Sequence, residues 1–387
     1  MQHTADVVGA AGRSIVFTRT RHGADRLARQ LGKLGVGTVA LHGGRSQNQR
    51  TRALRTFATG KAQALIATDV AARGIPIDAV ESVGYLSDAR LLALNSYENR
   101  VYQVGIEDEE PLIAKFYRPG RWSDAQIVEE HHFCFELADQ ELPVVAPLKD
   151  DDGESLFWHA PFRFALFPRR GGHEPDLDNP DNLFTMGRLL GRMHLVGAAR
   201  PFEHRPELDS RTFGHASAEV IGERFIPAVL KDSYTSLARD LLQAVDSIMA
   251  RVAYRPIRTH GDCHRGNILW RDDTPNFVDL DDARMAPAIQ DVWMLLSGDR
   301  HSRIAQLSEV VDGYNEFFDF ETTQLQLIEP LRTLRMMHYC AWVASRWDDP
   351  AFPRAFPWFN TERYWGEHIL ELREQMAILN EAPLELM

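Results

Sequence analysis

Apolar positions near the start of the chain come in short runs. Residues 14–17 (Ser-Ile-Val-Phe), 38–41 (Thr-Val-Ala-Leu) and 64–67 (Ala-Leu-Ile-Ala) are short, mostly apolar runs, the pattern of buried strands. Between them, residues 22–34 and 46–59 carry apolar side chains at helical spacing, with Leu54 and Phe57 turned inward. A β-α-β-α-β order predicts a parallel, doubly wound sheet.

From Pro76 the pattern changes. Residues 76–84 read as a short helix opened by Pro76 and closed by Gly84. Residues 100–104 and 112–117 predict two strands around a turn at 107–111. Residues 123–139 form an amphipathic helix with Ser123 as its N-cap. Further strand is predicted at 157–158 and 162–167. Beyond Pro168 the stretches 181–196, 215–253, 302–318 and 323–347 all carry helical spacing. The expected architecture is an α/β fragment fused to an α+β fold with a β-rich lobe followed by a helical lobe. The boundaries fall at 1–75, 76–168 and 169–387.

Charge sharpens the division. Residues 1–75 hold 12 Lys+Arg against 3 Asp+Glu, a net of +9, in a chain whose formal net is −12. The remainder therefore carries −21, which argues against a general nucleic-acid surface there. With 44% hydrophobic and 25% charged residues, the 387-residue chain is neither fibrous nor wholly disordered. Cys134, Cys263 and Cys340 are far apart, so neither a disulfide framework nor a structural zinc site is expected. No apolar run reaches membrane-spanning length and the first residues lack a signal-peptide pattern, so a cytoplasmic location without membrane partners is expected.

The chemistry concentrates in Thr259-His260-Gly261-Asp262-Cys263-His264-Arg265-Gly266-Asn267. Asp262 and Asn267 stand five apart, with His260 two before the aspartate, which is the spacing of a phosphotransferase catalytic loop. A carboxylate is needed to accept or orient the proton of an attacking hydroxyl. A nearby amide oxygen can hold Mg²⁺ without adding charge. Asp279 follows at the end of the apolar run Phe277-Val278, where a carboxylate can bridge Mg²⁺ to nucleotide phosphates. Lys115, on a predicted strand, suits the α/β-phosphates of ATP, and Glu129 or Glu130 on the following helix can hold that lysine. Singly, these are caps, turn residues and surface charges; their joint spacing points to phosphoryl transfer. His131-His132, with no third ligand nearby, are expected to be partly buried side chains on the helix surface and not metal ligands, and Cys263 a packed thiol. The aromatic tail from Trp342 to Trp365 is expected to form a core or a groove wall.

Several segments now gain a common reading. Leu94-Asn95-Ser96-Tyr97-Glu98-Asn99-Arg100-Val101-Tyr102-Gln103, Ala114-Lys115-Phe116-Tyr117-Arg118-Pro119, residues 260–270 and residues 277–284 resemble the stress response kinase A family. These are bacterial Ser/Thr protein kinases with the aminoglycoside phosphotransferase/choline kinase type of fold. The resemblance runs from about Ile77 to near the C-terminus. It implies a two-lobed protein kinase-like fold that uses ATP and Mg²⁺. It makes Asp262 the catalytic base, with Asn267 and Asp279 as metal ligands and Asp279 also catalytic. Ser96 is placed over the ATP phosphates, Lys115 on them, and Glu130 (by family spacing) beside the lysine. Asp291 is expected to brace the catalytic loop, and residues 165–168 to meet the adenine. A glycine-rich G-x-G-x-x-G, a D-F-G and an A-P-E are all missing, so residues 95–100 replace the glycine loop. The implied partner is a protein Ser or Thr hydroxyl and the expected state a monomer. Small-molecule phosphorylation is the alternative within the fold.

Residues 14–20, His42-Gly43-Gly44-Arg45-Ser46-Gln47-Asn48-Gln49-Arg50 and Ala67-Thr68-Asp69-Val70-Ala71-Ala72-Arg73-Gly74 resemble the second RecA-like domain of DEAD-box RNA helicases. A Walker A, a D-E-A-D and an arginine-finger motif are missing, and the resemblance stops at Gly74–Ile75. Residues 1–75, Asp69 and Arg73 included, are thus expected to be a truncated, catalytically inert fragment. Their charge allows a weak RNA contact, and an RNA-binding fusion protein is the rival reading from a different class.

Overall fold

The structure, a computed structural model, describes residues 13–18, 21–42 and 44–386. Arg19, Thr20 and Gly43 of the helicase-like motifs, and the side chains of Asp69 and Arg73, lie outside the described residues. The chain divides into two compact units, one made of residues up to 131 with 146–169, the other of 132–145 with 170–387.

The first unit opens with β1 (Ser14–Thr18), α1 (Arg21–Lys33), β2 (Thr38–Leu41), α2 (Gln47–Ala58) and β3 (Ala64–Thr68). The three strands are parallel in the order β1-β3-β2, as the alternating pattern requires. Ser46 starts α2 with a capping box: its hydroxyl accepts from Gln49 N at 3.4 Å, and Gln49 Oε1 accepts from Ser46 N at 3.0 Å.

The helix expected at 76–84 is the second half of a longer one, α3 (Asp69–Ser82), which runs straight on from β3. Pro76 lies inside it and removes one helical hydrogen bond. Burial outweighs that loss: Ile75, Ala79 and Val80 are buried in one apolar cluster with Leu41, Phe57 and Leu65 on one side and Val104, Leu112, Phe116 and Phe164 on the other. The second group belongs to an antiparallel five-stranded sheet ordered β4-β5-β6-β8-β7. Its strands are β4 (Ser87–Ala93), β5 (Arg100–Ile106), β6 (Leu112–Phe116), β7 (Phe157–His159) and β8 (Phe162–Pro168). The edge strand β4 is not announced by the sequence pattern. It is broken by a register shift between Ser87 and Leu91, and it leaves Leu92 largely exposed.

Helix α4 (Asp124–Asp139) begins as expected: Ser123 Oγ accepts from Gln126 N at 3.3 Å, and Gln126 Oε1 accepts from Ser123 N at 2.9 Å.

The second unit is mostly helical. It contains α5 (Pro180–Ala199), α6 (Ala216–Arg224), α7 (Lys231–Arg251), α8 (Ile289–Trp293), α9 (Arg300–Tyr314), α10 (Ile328–Ser345), α11 (Ala351–Ala355) and α12 (Glu362–Leu379). The stretch expected as helix over 215–253 is interrupted, because Pro227 separates α6 from a 3₁₀ turn leading into α7. Helices α5 and α9 cross closely at Gly187, where a Cβ would lie 2.0 Å from the Val310 carbonyl oxygen. Two short antiparallel pairs complete the unit. One joins β9 (Ile257–Thr259) to β12 (Arg284–Ala286), the other β10 (Ile268–Arg271) to β11 (Thr274–Phe277). The aromatic tail is largely core: Phe352, Phe359 and Trp365 are fully buried, while Trp358 keeps one edge in solvent. Among the described residues, no helix is long and apolar enough to cross a membrane.

Candidate active site

The expected catalytic loop leaves β9 and enters β10, and tertiary contacts hold it from below. Arg258, the strand residue two before His260, is buried. It bonds Glu136 at 2.9 and 3.2 Å and the Val196 carbonyl at 2.8 Å, and lies over the Phe133 ring. Burial opposes ionisation of Glu136. The hydrogen bonds and charges of Arg258 and Arg200 outweigh it and hold the carboxyl below its ordinary value.

The turn itself depends on Asp291 in α8. Its two oxygens accept from the backbone N–H groups of His260 (2.8 Å) and Gly261 (2.9 Å). His194 of α5 bridges Asp291 Oδ2 (3.0 Å) and the Tyr314 hydroxyl (2.9 Å), all of it buried. Gln290 Nε2 donates to the Gly261 carbonyl at 3.0 Å. Gly261 has φ +82°, and a Cβ there would lie 2.1 Å from the Asp282 carbonyl oxygen.

Three expected residues are brought together here. Asn267 Nδ2 donates to the Asp262 carbonyl at 3.0 Å, which closes the loop between the two. Val278 N donates to the Asn267 carbonyl at 3.0 Å, and His260 Nε2 bonds the Val278 carbonyl at 3.0 Å, so the chain before Asp279 is laid beside Asn267. Phe277 pairs with residues 143–145, which fixes β11. Asp279 then adopts a left-handed conformation (φ 59°, ψ 57°), a costly geometry of the kind stored at functional sites.

Asp262 faces two side chains. Arg335 Nη1 of α10 donates to Oδ1, and His264 Nε2 lies 3.5 Å from Oδ2. Burial opposes its ionisation. The His264 hydrogen bond and the Arg335 charge prevail over that, and over the nearby Asp282, and hold the carboxyl below its usual range. Cys263 is fully buried, and burial, followed by the charges of Asp291 and Asp262, pushes its thiol well up, as befits a packed side chain.

The other expected residues lie in the first unit. Lys115 is buried on β6, in register with Val101 and Ala165, with its ammonium 5.5 Å from the centroid of the Tyr117 ring. Glu130 is buried on α4. Next to it, His131 is fully buried rather than surface-facing. Its Nε2 shares a 2.7 Å hydrogen bond with the Tyr117 hydroxyl and its Nδ1 a 2.8 Å bond with Ser155 Oγ. This pair ties α4 to the end of β6. Ser96 is half-buried in the loop between β4 and β5. Arg118 anchors that loop: its Nε donates to the Glu98 carbonyl (3.1 Å) and its backbone N–H to Asn99 Oδ1 (3.1 Å). His194 and Arg335 carry no local signal. They lie 68 residues before and 73 after Asp262 in sequence, and only folding brings them to the loop.

A loop of this composition, closed by an amide and braced from a neighbouring helix, defines a kinase-type phosphotransferase, and comparison with known proteins agrees. The profile of the phosphotransferase enzyme family matches residues 90–327, and that of the helicase conserved C-terminal domain matches residues 3–90. The chain belongs to the phosphotransferase enzyme family and carries a helicase C-terminal-type region at its N-terminal end. Within that family its relatives include stress response kinases. It is 45% identical over 311 residues, 80% of this chain and 94% of the relative, to serine/threonine protein kinase RdoA of Salmonella typhimurium. Over the same shares it is 44% identical to stress response kinase A of Escherichia coli. Among solved structures, the amicoumacin kinase hAmiN in complex with AMP-PNP and Ca²⁺ superposes with a TM-score of 0.64 at 16% identity, covering 81% of this chain and 96% of that one. A microcompartment-associated aminopropanol kinase gives 0.59 at 18%, covering 80% and 98%. These two establish the fold.

Proposed function

We propose that this phosphotransferase is an ATP- and Mg²⁺-dependent Ser/Thr protein kinase. The observation that carries the reading is the 45% identity, over nearly the full length of the relative, to a protein named as a serine/threonine protein kinase. The donor set suits magnesium. Asn267 and Asp279 offer one amide and one carboxylate oxygen, the few hard donors that Mg²⁺ takes alongside water and phosphate oxygens. The described residues hold no cluster of three or more His, Cys, Asp or Glu side chains fit to cage a metal. When bound, the ion neutralises charge on the transferring phosphoryl group.

The chain's own residues do the rest. Asp262, kept ionised by its neighbours, accepts the hydrogen of the acceptor hydroxyl and aims its oxygen at the γ-phosphorus. Lys115 offsets phosphate charge, with Glu130 setting its position, and the Ser96 loop covers the phosphates. Asp291 holds the turn that presents Asp262. Positioning and charge neutralisation supply the catalysis. The region up to residue 75 is a catalytically inert passenger in this reading.

The test is Mg²⁺-dependent transfer of labelled γ-phosphate from ATP to a generic Ser/Thr protein acceptor. Asp262→Asn and Asp279→Asn should each lower turnover by at least ~10²-fold, the scale for losing a central electrostatic group. Near-normal turnover in both variants refutes the site assignment. Label that passes to small hydroxyl compounds but never to protein refutes the acceptor class.

A further inference from the structure

Among the described residues, three buried arginines around the catalytic loop are committed to structure, and the exposed Arg265 of the loop is paired with Glu174. Arg258 is buried among Glu136 and backbone carbonyls. Arg205 is buried against the carbonyls of Asp281 and Ala283 at 2.9 and 2.7 Å. Arg284 is buried, bonded to the Asp282 carbonyl (2.8 Å) and carboxylate (2.7 Å) and covered by the Phe213 ring. Arg335 differs. Its side chain is 44% exposed, and among the described residues Asp262 is its one hydrogen-bonding partner. A guanidinium has five N–H donors in a planar fork, so the bond to Asp262 leaves further donors of this half-exposed side chain beside the carboxylate that must receive the acceptor hydroxyl. α10 carries it, and α10 is anchored by the buried Leu331, Leu334 and Met337, so the cation has a fixed place.

We propose that Arg335 is a specificity-determining residue that recognises an anionic group flanking the acceptor hydroxyl, such as an Asp or Glu side chain next to the Ser or Thr. The inference rests on Asp262 being the catalytic carboxylate. The acceptor's acid would take the free edge of the guanidinium while the hydroxyl meets Asp262. A basic neighbour would be repelled by the same charge. A charge-assisted contact of this kind discriminates by about tenfold or more.

The experiment compares kcat/KM for serine peptides identical except for Glu, Gln or Lys on either side of the serine. Small hydroxy acids and amino alcohols are run in parallel, with wild type, Arg335→Gln and Arg335→Lys. Melting temperature confirms that each variant is folded. Wild type should prefer the acidic acceptor over the basic one by at least about tenfold, Arg335→Gln should bring the ratio to about one, and Arg335→Lys should keep part of it. An unchanged ratio in Arg335→Gln overturns the proposal. So does an equal rise on every acceptor, which would make Arg335 a latch on Asp262 instead. Peptides phosphorylated without acidic preference leave the protein-kinase reading standing and remove this one. Transfer to hydroxy acids alone, with a preference lost in Arg335→Gln, does the reverse.

Discussion

Gly261 shows how much one backbone position can carry. Its positive φ and the 2.1 Å approach of the Asp282 carbonyl leave no room for a side chain. Gly261→Ala should therefore lose about 1–3 kcal/mol of stability and displace Asp262 by its shifted turn. The expected outcome is a lower melting temperature together with a kcat reduced more than KM is raised; unchanged values of both would show that the turn tolerates a Cβ. The glycine is visible in the sequence, but its reason is not. Only the fold puts Asp282 against it and Asp291 beneath it. Asp262, Asn267 and Asp279 were legible because a phosphotransferase loop keeps them close in sequence. Arg335 and His194 were not, because they reach the loop from separate helices.

At the level of elements, β9 is held by the Arg258–Glu136 pair, which spans 122 residues of sequence to fasten α4 to the strand before the catalytic loop. The folded carboxyl of Glu136 lies below its ordinary value, so the pair's contribution is complete above the unfolded value of about 4.3 and disappears as pH falls through the lower folded one. Glu136→Gln should consequently lower the melting temperature at pH 7. It should also flatten the fall in melting temperature that wild type shows on acidification below about pH 4.3. Parallel curves for the two proteins from pH 3 to 7 would mean that the pair adds nothing net. Capping chemistry was readable for α4, since Ser123 announces its helix. The start of α3 was misplaced for an equally physical reason. A proline normally marks a first turn, and here burial of Ile75, Ala79 and Val80 carries the helix through it.

On the scale of the whole molecule, the helicase-type region and the five-stranded sheet share one apolar cluster, with α3 between them. Leu65→Ala, in the fully buried centre of the parallel sheet, should cost about 2–5 kcal/mol. Because the cluster is continuous, it should also speed amide exchange in β5 and β6, not only in β1–β3. Exchange that changes in the parallel sheet alone would mark the region as an independent appendage. The −12 net charge and its uneven spread speak to partners, and they say nothing of this shared core.

The sequence by itself determined the two textures, the spacing of a phosphotransferase loop and the departures from a glycine-rich kinase, because strand and helix periodicity and closely spaced candidate groups are local properties. Tertiary structure alone decided the support that His194 gives Asp291, the cation beside Asp262, the burial of His131 and the helix running through Pro76. Each of these depends on which distant side chain fills a given space, and that is settled by packing.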